Sequence, residues 1–223
     1  MLVPTSVRRI GLVALAAASL GIPVLAAPFA VQIDQAQSTL TFQLCVAGSC
    51  DTDTSPVTGT ATIALDCVDF PADISLHDFH LYLTTNPHIY ISWSFLGSLT
   101  ADANSVSIHY AYPGAPLGPV PINTGAFLFT AVPATSQGTL TYHATGIPCA
   151  ALQNAGYLCT DARNLADEGI STSDWNGTLT SANRTVTLTT AIDTTTPLDP
   201  NTPSLGTMRV YGTVRGTAYV ARP

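Results

Sequence analysis

The chain has 223 residues, 46% hydrophobic and only 9% charged, with 7 basic side chains against 14 acidic ones. This composition excludes collagen, coiled coil and disorder, and the length suits a single domain. Every basic residue is an Arg (Arg8, Arg9, Arg163, Arg184, Arg209, Arg215 and Arg222), so the clustered cations that bind nucleic acid or an anionic membrane are missing.

The N-terminus carries Arg8-Arg9, an apolar run over 10–20, the helix breakers Gly21 and Pro23, and small Ala26 and Ala27. Charged start, greasy middle and small end predict a secretory signal over 1–26, cleaved after Ala26 or Ala27. The remaining 27–223 would form a single exported β domain in the periplasm, the extracellular space or at the cell surface. No second apolar run reaches a helical membrane span, so none is expected after cleavage. Oligomeric state is left open.

Period-two alternation then dominates, predicting strands over 39–46, 57–65, 74–83, 89–100, 105–112, 124–132, 138–145, 177–181, 185–192 and 207–220. These are all-β elements joined by Gly, Pro, Asn and Asp clusters: a single antiparallel β-sandwich or barrel of about ten strands. Within 74–83 the apolar phase slips near His77-Asp78, which predicts a β-bulge. In 89–100, Ile89, Ile91, Trp93, Phe95 and Leu99 share a face that should cross the core. The Pro-rich stretch 112–121 lacks the donors for an inner strand and reads as a stiff connector. From 149 to 171 the alternation lapses, and Ala150, Ala151, Leu152 and Ala155 predict a short helical insertion.

Export permits disulfides. Cys45 and Cys50 bracket a small turn, and Cys149 and Cys159 close the start of the insertion, so two local bridges are expected. Cys67, in phase with Ala61, Ile63 and Leu65, is expected to be free and buried. No C-x-x-C occurs, and His77 and His80 are three apart on a strand, so no metal site is expected. Asp51-Thr52-Asp53-Thr54-Ser55 and the group Asp193, Asp199 and Asn201 read as turn-capping rather than as complete calcium loops. Neither a G-x-S-x-G elbow nor an S-x-x-K is present, so catalytic residues, enzymatic activity and cofactors are not expected.

Ile33-Asp34-x-x-x-Ser38-x-Leu40-x-Phe42, with the later Gly177-x-Leu179-Thr180 and Val186-Thr187-Leu188, resembles the YceI-like family of secreted, lipocalin-like barrels that bind polyisoprenoid lipids. Gln37 departs from the His usual there. The resemblance implies an apolar or lipid-like ligand. Two functions stand open: an exported, non-enzymatic β domain binding an apolar or amphipathic small molecule, and a cell-envelope or extracellular structural or adhesion domain. If a ligand binds, Tyr157 and Arg163 in the insertion are the candidate contacts. Arg163 would anchor an acidic head or pair with Asp161 or Asp167.

Overall fold

A computed structural model describes residues 27–199 and 201–221; the leader predicted over 1–26 lies outside the described residues. Among the described residues, twelve strands form one continuous antiparallel sheet, accompanied by one α-helix. They are β1 (Phe29–Ile33), β2 (Thr39–Val46), β3 (Ser49–Leu65), β4 (Asp73–Leu83), β5 (His88–Ser92), β6 (Ser98–Tyr110), β7 (Leu117–Pro121), β8 (Ala126–Ala144), β9 (Thr160–Asn164), β10 (Ile170–Ala182), β11 (Thr185–Pro197) and β12 (Gly206–Tyr219), and the helix is α1 (Gly146–Asn154).

Several of these strands are halves of one interrupted stave. β1 and β2 both lie between β3 and β12. β4 and β5 both pair with β6, β6 and β7 both pair with β4, and β9 and β10 both pair with β8. Because β3 also pairs with β4, the ladder closes on itself. The result is an up-and-down barrel of eight staves, and closure removes the exposed edges of an open sheet. Of the two architectures open in the sequence, the barrel is the one formed.

Alternation decides which side faces in. Val31, Leu40, Val57, Ile63, Leu76, Phe79, Phe129 and Trp175 are buried, and Phe79 stacks 4.5 Å from Trp175 and 5.8 Å from Tyr110 by ring centroids. Outward positions on β10 to β12 are instead Thr178, Thr180, Thr187, Thr189, Thr213, Arg215 and Thr217. On these three strands an apolar inside and a polar outside are the reverse of the lipid-facing pattern of a transmembrane barrel, while Tyr82, Tyr90, Leu128, Ile170 and Tyr219 are exposed. No helix among the described residues is long and apolar enough to cross a membrane.

The breaks between half-staves are stitched by side chains. Asp34 accepts from the Ala36 N–H to cap the turn after β1, and buried Ser38 both donates to the Arg215 carbonyl (3.0 Å) and accepts from its N–H (2.9 Å). Residues 33–42 therefore have structural tasks here: Ile33 and Leu40 fill the core, Phe42 packs against it, and Asp34 and Ser38 mend the ladder. At the upper end β5 lies beside the first half of β3 without a backbone ladder. The Asp53 and Asp51 carboxylates accept from the N–H groups of His88 (2.7 Å) and Tyr90 (2.8 Å) instead.

The stretch 51–55 is part of β3, not a turn; turn-capping holds for Asp199, which accepts from the Asn201 N–H, while Asp193 pairs with Arg209 at 2.6 Å. The strand expected over 89–100 breaks at Trp93. A Cβ on Gly97 would stand 2.1 Å from the Thr145 carbonyl oxygen and one on Gly146 2.0 Å from that of Leu96, so two glycine backbones cross there and the chain turns sharply. The turn throws Phe95 outward, 93% exposed. The two strands expected over 124–132 and 138–145 are one, β8. The connector contributes β7, whose Leu117 and Val120 pair with Leu76 and Ile74. Cys67 is free but exposed, because β3 ends at Leu65 and Asp66 opens a loop by accepting from Ala72 and Asp73. The bulge at His77 is present: Thr62 pairs with Asp78 and Ile63 with Leu76, leaving His77 extra.

Both expected disulfides are formed, Cys45–Cys50 and Cys149–Cys159. The first faces directly across the β2–β3 hairpin, whose Ala47-Gly48 turn has positive φ at both residues (48° and 80°), the twist that favours two-residue hairpins. Such bridges belong to oxidising compartments.

Candidate functional site

The core divides into two clusters along the barrel. The lower is filled by large aromatics, whereas the upper is built from Leu44, Val46, Ile89, Ile91, Leu99, Ala101 and Ala144. A cavity of about 100 Å³ opens beside this upper cluster.

Five staves supply its walls: Leu44 and Val46 from β2, Leu99 and Ala101 from β6, Leu140 and Tyr142 from β8, Arg163 from β9, and Met208 from β12. Pro148 and Leu152 of α1 roof it, and Leu198 and Leu205 close a flank. α1 begins where the Gly97–Gly146 crossing turns the chain over the mouth, and the Cys149–Cys159 bridge ties its first turn to the approach to β9. The expected insertion over 149–171 is thus only half helical. Its second half contains β9, which extends the barrel wall by pairing Leu140 with Arg163 and Tyr142 with Asp161.

That register is what places Arg163, one of the two candidate contacts. Leu140 and Tyr142 face inward, so their partners Arg163 and Asp161 do too, and Arg163 enters the cavity wall together with Tyr157. The guanidinium lies 4.7 Å from the Tyr157 ring centroid and 6.0 Å from that of Tyr142, within cation–π range. Its carboxylate neighbours are Asp161 at 3.7 Å and Glu168 at 3.9 Å. The expected pairing with Asp161 is present, and Glu168 takes the second position considered for Asp167. With two carboxylates beside one cation, the local field does not favour an anionic head.

Tyr142 went unnoticed in the sequence, where it is one aromatic in a Thr-rich strand. Its hydroxyl is buried without a hydrogen-bond partner among the described residues. Burial pushes its pKa up, against the opposing pull of the Arg163 charge, so the group stays a neutral O–H at physiological pH. An apolar chamber with a stacked guanidinium at its wall can hold a small hydrocarbon group.

No family model matches this chain, and no curated protein matches it by sequence. Among solved structures, it is similar to the crystal structure of Ail, the attachment invasion locus protein of Yersinia pestis, in complex with the heparin analogue sucrose octasulfate. The TM-score is 0.38 at 8% identity, over 85% of this chain and 97% of that chain.

Proposed function

We propose that the protein is an exported, non-enzymatic β-barrel that binds a small apolar or amphipathic molecule at its upper mouth, in keeping with the YceI-like resemblance of its first strands. The observation that carries this reading is the apolar cavity itself, walled by Leu44, Leu99, Leu140 and Met208, roofed by Pro148 and Leu152, and lined also by Tyr142. The Tyr142 hydroxyl is buried and unpartnered, at a cost of about 1–3 kcal/mol that a ligand oxygen would recover once the ring turns the hydroxyl into the cavity. A cavity of about 100 Å³ limits the enclosed part to a ring or short branched chain, since an apolar space of roughly 150 Å³ takes up benzene. The flanking Asp161 and Glu168 select an uncharged head, such as a hydroxyl or carbonyl, over a carboxylate. Native mass spectrometry of the protein purified from its source tests the reading. A small adduct, lost when Leu140→Trp fills the cavity, is expected; bare protein in both forms would overturn it.

A second reading, a cell-envelope or extracellular structural or adhesion domain, draws on the lower barrel. There Phe79, Phe129 and Trp175 fill the interior and the outer wall is rich in Thr. Under this reading the same spectra contain an empty, self-associating protein.

A further inference from the structure

Outside the cavity, the outer wall holds a histidine pair that the strand register creates. His80 of β4 and His109 of β6 are direct cross-strand partners, and the flanking Phe79, Leu81 and Tyr110 point into the core, so both imidazoles lie on the outer face. Their Nδ1 atoms are 2.5 Å apart. Each Nε2 is held from behind: that of His80 by the Asp78 carboxylate at 3.1 Å, that of His109 by the Ser107 hydroxyl at 2.8 Å.

We propose that His80 and His109 form a binding site for a borderline divalent transition-metal ion, with Cu²⁺ preferred over Zn²⁺, ligated through the two Nδ1 atoms. Metal-bound histidines characteristically donate their other ring N–H to a carboxylate or similar acceptor, and both rings here have that acceptor in place. When both Nε2 atoms carry the proton, two Nδ1 lone pairs converge on one point, and a cation between them removes their repulsion. Without metal the same point holds a proton: His109 Nδ1–H donates to His80 Nδ1 while Ser107 donates to His109 Nε2. Metal entry moves the His109 proton from Nδ1 to Nε2 and rotates the Ser107 hydroxyl from donor to acceptor, so no proton is released. The rings need to part to about 3 Å, as bonds of about 2.0 Å to imidazole require.

Local charge and access both fit. Asp78 is the carboxylate of the cluster, and its second oxygen is buried without a partner, so its negative charge is left to face the site. The His80 side chain is 42% exposed, which gives an ion a path from solvent. Thr60, Thr62, Thr135 and Gln137 are the cross-strand neighbours from β3 and β8, and none is charged. Among the described residues no group of three or more His, Cys, Asp or Glu gathers around one point, so water would complete the coordination sphere. Imidazole ligation and the Irving–Williams order then favour Cu²⁺.

The test is titration of the untagged full chain with CuCl₂, followed by calorimetry and electron paramagnetic resonance. Superhyperfine coupling to two imidazole nitrogens is expected. Affinity should fall at least about tenfold in His80→Ala and in His109→Ala, about tenfold in Asp78→Asn, and not at all in His143→Ala. Paramagnetic broadening of amide signals in the wild-type protein should centre on β4 and β6, which locates the site without any variant. Broadening centred elsewhere, absence of binding, or affinity unchanged in both histidine variants would overturn the proposal.

Discussion

The Arg163 guanidinium stacks 4.7 Å from the Tyr157 ring, across the mouth of the barrel and over a cavity whose wall includes the unpartnered Tyr142. Arg163 comes from β9 and Tyr157 from the segment after α1, so the contact depends on the disulfide that ties those pieces together. It closes one side of the chamber with a charged but planar group. A planar cation presents faces to hydrocarbon while its edge donates hydrogen bonds, which suits an amphipathic guest.

Removing the Cys149–Cys159 bridge should loosen this roof without unfolding the barrel. Cys149→Ser with Cys159→Ser is expected to lower stability by about 2–3 kcal/mol on the loop-entropy model. Hydrogen exchange should quicken first in α1 and β9, while β10, β11 and β12 stay protected. Uniformly faster exchange would mean that the roof is part of the cooperative core.

Ser38 stands in for a missing rung between the first stave and β12. It donates to one Arg215 backbone group and accepts from the other, while fully buried. Ser38→Ala strands both, so denaturant unfolding should give a loss of about 1–3 kcal/mol. A loss under about 0.5 kcal/mol would show that water or a backbone shift replaces the hydroxyl.

Asp66 gives the barrel an acid-sensitive loop. Burial pulls its pKa upward, but the N–H groups of Asp73 and Ala72 that it accepts outweigh that pull, and the net direction is down. A depressed carboxylate stabilises fully above its unfolded value, about 4, and that contribution disappears as pH falls through the lower folded value. Wild type should therefore exceed Asp66→Asn in stability at neutral pH, with the gap shrinking below about pH 4. A gap that is constant from pH 7 to pH 3 would contradict this.

Strand existence was legible because period-two alternation survives in nearly every stave, as did the His77 bulge, where the phase change is itself the signal. The interruptions were not. At Trp93 apolar periodicity continues through a turn imposed by the contact of Gly97 with Thr145, 48 positions along the chain. At Cys67 the phase persists past the point where Asp66 ends the strand. The candidate site was half visible: Tyr157 and Arg163 stand out because aromatics and cations are scarce in the insertion. Tyr142 and the His80–His109 pair did not, because cross-strand register sets which distant residues meet. Local spacing placed His80 nearest His77, yet its partner lies 29 residues on.

On the proposed function, the upper cavity binds a small apolar group bearing an uncharged polar atom. The most direct measurement is amide chemical-shift titration of the isotopically labelled protein with cyclohexanol, cyclohexane and cyclohexanecarboxylate. Saturable shifts are expected, confined to residues around Leu140, Tyr142, Leu152, Tyr157 and Met208. The alcohol should bind more tightly than the carboxylate or the hydrocarbon, and its advantage over the hydrocarbon should fall in Tyr142→Phe by about tenfold, equivalent to about 1.4 kcal/mol. Shifts scattered over the barrel surface, or alcohol binding unchanged in both Tyr142→Phe and the cavity-filling Leu140→Trp, would contradict it.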